Sequence, residues 1–344
     1  MMYFENYNWS TVSGEMWQNI TALLPGNDGE VWCASETGLY RFKDGEFTPY
    51  RVYDSLISNR CWDLTEGSQG ALWYIGSTGV SRYFDGTWES WDESHGLPSL
   101  NRGRIDEGPN GDVWALTYSV SLHGAVTDDG YIVSRLDGDG WENIAVPAWY
   151  EGVTDIVVDN DGTPWICHQS GVTHFNGDTW KSYGRDLNRA SYIYYDPDED
   201  AVFCGGKSDF IVKVTDGVES TIPFFAPSEA VSCIRVHEGE LYVAIQNSVL
   251  KYEDGQWDGV YDDVMFFTFN KNDTMLMVND SGTISRPVVF GTEPVTRIKP
   301  FTRPKGLAYT PEDNLWVSGN WEGVYRITDI QGPHFTTISG TVTE

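Results

Sequence analysis

A short phrase recurs along the chain: a turn residue, two further residues, then a large aromatic. It reads Gly29-Glu30-Val31-Trp32, Gly70-Ala71-Leu72-Trp73, Gly111-Asp112-Val113-Trp114 and Gly162-Thr163-Pro164-Trp165. Looser copies follow at Asp200-Ala201-Val202-Phe203, Gly239-Glu240-Leu241-Tyr242 and Asp273-Thr274-Met275-Leu276, and a clean one returns at Asp313-Asn314-Leu315-Trp316. The anchors stand at 32, 73, 114, 165, 203, 242, 276 and 316, so the intervals are 41, 41, 51, 38, 39, 34 and 40. A period near 40 means one supersecondary unit copied many times, which leaves little room for a separate second domain.

Around each anchor the same small elements repeat. Upstream lies an apolar run such as Ile20–Leu24, Asp155–Val158 or Ile234–Val236. Downstream comes a strand ending in a basic residue or His, as in Gly38-Leu39-Tyr40-Arg41, Gly79-Val80-Ser81-Arg82, Gly171-Val172-Thr173-His174 and Gly323-Val324-Tyr325-Arg326. A hairpin signal follows at Asp44-Gly45, Asp85-Gly86, Asp139-Gly140, Asn176-Gly177, Asp216-Gly217 and Asp254-Gly255, residues that tolerate the positive φ of a two-residue turn. A last aromatic pair closes the unit, Trp88 with Trp91 and Trp180 with Tyr183. Four antiparallel strands, a to d, make one propeller blade, and one blade alone cannot hide both faces of its sheet. The 15 Trp, 19 Tyr and 15 Phe suit such half-buried pleated surfaces. The expectation is an all-β propeller of eight four-stranded blades over 1–338, with seven as the alternative. Phe4 and Tyr7, or Phe335–Ile338, would supply the strand that joins the two ends. Residues 339–344 would be a tail or the start of a following module.

The phrases Asp159-Asn160-Asp161-Gly162-Thr163-Pro164-Trp165 with Gly171-Val172-Thr173-His174-Phe175, and Asn27-Asp28-Gly29-Glu30-Val31-Trp32 with Gly38-Leu39-Tyr40-Arg41-Phe42, resemble the two-component-regulator propeller repeat. In its best-known setting that family is the periplasmic ligand-sensing part of membrane sensor kinases. The resemblance implies the propeller fold, while its sensor role needs a membrane span and a kinase region that this sequence does not show. Similar propellers also occur in virginiamycin B lyase, a metal-assisted enzyme, but no His pair with a neighbouring acid can be placed here. The segment Ile338-Ser339-Gly340-Thr341-Val342-Thr343-Glu344 resembles the opening strand of a carboxypeptidase-regulatory Ig-like module.

With 51 acidic against 22 basic residues the net charge is −29, which repels phosphate backbones and anionic headgroups, so nucleic acid is excluded as a direct partner. The start of the chain carries no basic segment followed by an apolar one, and no apolar run approaches membrane-spanning length, so neither a signal peptide nor membrane insertion is expected. The five cysteines, Cys33, Cys61, Cys167, Cys204 and Cys233, lack metal or disulfide spacing and read as small buried hydrophobes. The Asp-rich turns recur at hairpin positions, where Asp and Gly already have a role. No cofactor is therefore assigned, Ca or Mg being the ions such turns would suit.

On a propeller the b–c and d–a loops share one face, and here those loops vary while the strands repeat. Candidate docking residues on that face are Tyr118, Trp149, Tyr150, His168, Gln169, Asn320 and Trp321, with His123 in an insertion of about ten residues that produces the long interval. His123 and His168 could share an acid–base or metal site, although no third ligand accompanies them. The leading expectation is a non-enzymatic scaffold recognising a protein or a glycan, as part of a virus particle (tail or fibre) or a modular extracellular surface assembly rather than a cytoplasmic enzyme. The alternatives are a metal-assisted lyase or hydrolase at the ring mouth, and a small-molecule sensor.

Overall fold

Alternating apolar residues and positive-φ turn pairs dictate short antiparallel strands, and the computed structural model shows them. It describes residues 20–25, 30–35, 38–44, 46–50, 57–58, 60–67, 70–98, 102–119, 130–147, 152–223, 230–245, 248–264, 266–269, 275–279, 283–288, 291–297, 304–309, 315–319 and 324–327. Strands β1 to β31 form eight antiparallel sheets, seven of four strands and one of three, and every sheet is a run of consecutive strands. Both strand candidates for joining the ends, Phe4 with Tyr7 and Phe335–Ile338, lie outside the described residues, as does any fourth strand of the last sheet.

The first strands of the eight sheets are β1 (Ile20–Pro25), β5 (Cys61–Glu66), β9 (Arg102–Glu107), β13 (Asp155–Val158), β17 (Tyr192–Asp196), β21 (Val231–His237), β25 (Phe266–Phe269) and β29 (Pro304–Tyr309). Each packs against the first strand of the next sheet, and β29 packs against β1, so the series returns to where it began. These are the inner strands of an all-β propeller. The second strands are buried along their whole length, as in Val31–Ser35, Leu72–Gly76, Pro164–His168 and Ala201–Gly205, because a neighbouring sheet covers each face. Apolar clusters sit between successive sheets. Trp32, Leu39, Leu64 and Tyr74 join the first two, and Trp165, Val172, Ile193 and Val202 join the fourth and fifth.

The register explains the repeated phrase. Each anchor aromatic stands directly across from the basic residue that ends the third strand: Trp32 from Arg41, Trp73 from Arg82, Trp114 from Arg135, Trp165 from His174, Phe203 from Lys213 and Tyr242 from Lys251. The cation lies by the ring, with Arg82 Cζ 5.5 Å from the Trp73 ring centre and Arg135 Cζ 5.8 Å from that of Trp114. Such contacts contribute roughly 0.5–1 kcal/mol each when exposed. A carboxylate near the a–b turn then pairs with the cation, as Glu30 does with Arg41, Asp112 with Arg135 and Glu199 with Lys213. In the fourth sheet His174 stacks on Trp165 at 4.2 Å, and its Nε2 lies 3.3 Å from Asp159. The Asp159 carboxylate also accepts from Trp165 Nε1 (2.7 Å) and from the Thr163 hydroxyl (2.8 Å). The Asp-rich turn here is thus spent on fixing the anchor.

A second repeated device is a buried hydroxyl on the third strand bonded to a polar group on the fourth. Ser81 meets Ser90 at 2.8 Å, Ser134 meets Asn143 at 2.7 Å and Thr173 meets Ser182 at 3.3 Å. Among the hairpins, Asp85-Gly86, Asp216-Gly217 and Asp254-Gly255 take positive φ at both positions, as a type I′ turn requires. The expected Asp139-Gly140 turn shifts by one residue. The left-handed position falls on Gly138 (φ 58°), and Gly140 opens the following strand. Cys33, Cys167, Cys204 and Cys233 are free and buried.

Candidate functional site

An inner strand pairs on one edge only, so its other edge and the side chains beside it face the axis of the ring. Some positions there are bland: Ala22 on β1, Cys233 on β21 and Gly306 on β29 sit across from residues two past the anchor. The register-equivalent places in the second to fifth sheets hold Asp63, Arg104, Asp155 and Tyr192. The next tier, directly across from the anchors, holds Thr65, Asp106, Val157, Tyr194 and Arg235. One arc of the inner wall therefore carries charge and phenol, and solvent still partly reaches Asp63, Arg104, Asp106, Asp155, Tyr192, Tyr194 and Arg235.

The carboxylates have a structural duty that fixes them. Asp63 accepts from the Ile105 N–H at 3.2 Å, and Asp106 accepts from the Val158 N–H at 2.8 Å and the Thr65 hydroxyl at 3.2 Å. Each thereby satisfies a backbone donor on the open edge of the next inner strand, which would otherwise be left unpaired. Arg104 spans three sheets, donating to Trp62 O (3.2 Å) and Thr154 O (3.3 Å), with its Nε 3.7 Å from Asp155. Burial pushes Asp63 up to about 7, opposed by Arg104 and reinforced by Asp155. Burial likewise takes Asp106 up to about 7 and raises Asp155 against the pull of Arg104. Near neutral pH this arc can therefore donate as well as accept hydrogen bonds.

Where the arc reaches the a–b turns it opens into a cleft of about 430 Å³. Its lining includes Glu66, Asp106, Glu107, Val157, Tyr194 and Tyr195. Tyr195 is held by its oxygen, which donates to Asp200 at 2.6 Å and accepts from the Asn160 N–H at 2.8 Å. Glu107 takes a hydrogen bond from Trp73 Nε1. This cleft is on the face opposite the b–c and d–a loops, where docking was expected.

On the expected face the structure places three of the candidates. Tyr118 is half-buried, its ring 4.9 Å from that of Tyr131, at the foot of the insertion. Gln169 is an exposed turn residue whose carbonyl accepts from the Ala190 N–H of the next sheet. His168 is not a surface group: it is only 2% exposed. Its Nδ1 accepts from the Ser170 N–H and its Nε2 faces the Thr173 hydroxyl at 2.9 Å, so it braces its own hairpin, and burial pushes it down to about 4. Trp149, Tyr150, His123, Asn320 and Trp321 lie outside the described residues. Sequence reasoning missed the inner arc, although a signal existed: Asp63, Arg104 and Asp155 each stand ten residues before a tryptophan anchor, where the first repeat has Ala22.

No model of a known protein family matches the sequence, and no curated protein sequence matches it. Solved structures do match in shape. Virginiamycin B lyase from Staphylococcus aureus superposes with a TM-score of 0.60 at 15% identity, covering 92% of this chain and 97% of that one. The WD40 beta propeller domain of Doa1 gives 0.57 at 10% identity, covering 95% and 98%. The extracellular domain of a putative hybrid two component system from B. thetaiotaomicron gives 0.54 at 10% identity, covering 91% of this chain and 51% of that one. The chain shares the β-propeller fold. At these identities the likeness extends to the fold and no further. Among the described residues no three His, Cys, Asp or Glu side chains are grouped to hold a metal, and no helix is long and apolar enough to cross a membrane.

Proposed function

We propose that this propeller is a non-enzymatic recognition scaffold whose ligand is a glycan, bound in the cleft at the a–b end of the inner arc. The observation that supports this is the mixed acidic and aromatic lining of a cleft of about 430 Å³. Tyr194 and Tyr195 give flat apolar faces on which the C–H side of a sugar can rest, and Asp106 with Glu66 and Glu107 gives acceptors for hydroxyls. The volume is of the size a small ligand site requires. Among the described residues the only large hydrophobic side chain strongly exposed on the outer surface is Val218, at 68%, which gives an apolar protein partner little to hold there. The setting that fits is an extracellular modular assembly, in which an acidic surface keeps neighbouring modules apart while the cleft engages sugar.

A glycan array followed by calorimetric titration with the best oligosaccharide tests the reading. Binding is expected in the wild type, with Tyr194→Ala weakening it about tenfold or more through loss of the stacking face. An array on which no glycan binds, or a Tyr194→Ala variant that binds as the wild type does, overturns it.

A further inference from the structure

The inner wall holds a second feature next to the cleft, with which it shares Tyr194. Arg235, on β21, lies against two phenol rings, with its Cζ 5.8 Å from the centre of Tyr192 and 5.5 Å from that of Tyr194. Its Nη1 makes both of its hydrogen bonds, to Tyr192 Oη at 2.5 Å and to its own Ile234 carbonyl at 2.7 Å. Nε and Nη2 donate to no group among the described residues, and there Arg235 enters no ion pair, whereas Arg41, Arg104, Arg135, Lys213 and Lys251 each face a carboxylate. In a chain with 51 acids and 22 bases, an unpaired guanidinium set within the ring is conspicuous. A buried charge without a counter-ion is costly.

We propose that Arg235 and Tyr192 form a subsite for the carboxylate of a small hydroxy- or amino-acid entering the ring. Two donors of a planar guanidinium fork match the two oxygens of a carboxylate. Tyr192 already accepts from Arg235, so its own O–H is left to donate to the same anion. Asp155, whose charge is felt at Tyr192, disfavours a dianion such as phosphate there and leaves a singly charged acid as the better fit. The subsite goes beyond the glycan reading and stands or falls without it.

Calorimetric titration of the full chain with lactate and with L-serine, each against phosphate and chloride at matched ionic strength, tests the proposal. Lactate or serine is expected to bind, and Arg235→Gln is expected to weaken that binding about tenfold or more. If Arg235→Gln does not fold, Tyr192→Phe removes one donor while leaving the guanidinium, and binding is expected to weaken there too. The proposal is overturned if none of the acids binds, if phosphate binds as well as they do, or if the folded variant titrates as the wild type.

Discussion

Replacing Asp63 by Asn should make the protein more stable at pH 8 and leave it nearly unchanged at pH 4. Asp63 is raised from the ordinary 3.8 to about 7, chiefly by burial. A carboxyl whose folded value is raised contributes stability that is complete below the unfolded value. That stability is lost as pH rises from about 4 to about 7, because the folded chain must then give up a proton it holds more tightly than the unfolded chain does. A shift of this size corresponds to at most about 4 kcal/mol at about 1.4 kcal/mol per unit, and water reaching the inner wall should cut this to about 1–2 kcal/mol. Asn has the same shape and keeps an acceptor for the Ile105 N–H, now bound at 3.2 Å, without ever ionising. At about 2 °C per kcal/mol for a domain of this size, the midpoint of thermal unfolding should rise by about 2–4 °C at pH 8. The assay is scanning calorimetry of both proteins at closely spaced pH values, and the quantity of interest is their difference, which cancels the self-repulsion of a chain carrying a net charge of −29. If the two curves run parallel from pH 4 to pH 8, the inner arc is not a site of displaced proton affinity and the argument fails.

His168 should act with the opposite sign. It is pushed down to about 4 by burial, so its contribution is present above about 6.5 and lost as pH falls towards 4. His168→Gln should flatten that acid limb in the same calorimetric series. Trp114→Ala should cost about 3–5 kcal/mol, because Trp114 is buried between the third and fourth sheets and donates to the Gly162 carbonyl of the latter at 2.9 Å. Chemical denaturation would show a loss below about 1 kcal/mol if the anchor were not what couples the sheets.

The residues that were legible in advance are those used the same way in every copy. Trp32, Trp73, Trp114 and Trp165 must each meet an arginine or histidine across the strand and a neighbouring sheet behind, so the spacing survives repetition and can be read without coordinates. The docking residues could not be read that way, because nothing in a loop's composition says whether its side chain points outward. His168 and Gln169 are adjacent in sequence, yet one is buried and the other exposed. His168 ends a strand that neighbouring sheets bury along its whole length, whereas Gln169 stands in the turn beyond it, and that cover is known only once the neighbouring sheets are in place.

The inner arc was hidden for a different reason. Asp63 and Asp155 stand in apolar-flanked strand segments where a carboxylate looks like an ordinary solvent-facing residue. The meaning of Asp63 comes from the open edge of the next inner strand, where it meets the Ile105 N–H 42 residues on in sequence, whereas Asp155 accepts from the N–H of its own neighbour Ile156. A propeller must leave such an edge in every sheet, since the inner strand has no neighbour to pair with on that side. Part of the ring answers with small or apolar residues, such as Ala22, Cys233 and Gly306. Where it answers instead with Asp63 and Asp106, the edge is satisfied at the expense of burying titratable oxygens. At Asp106 the carboxylate is required by its donors, since one oxygen accepts from the Thr65 hydroxyl and the other from the Val158 N–H, and Asn would turn an NH2 towards one of them. Asp63 and Asp106, both pushed up to about 7 by burial, and Asp155, raised likewise, give the inner strands of the second to fourth sheets a titratable edge.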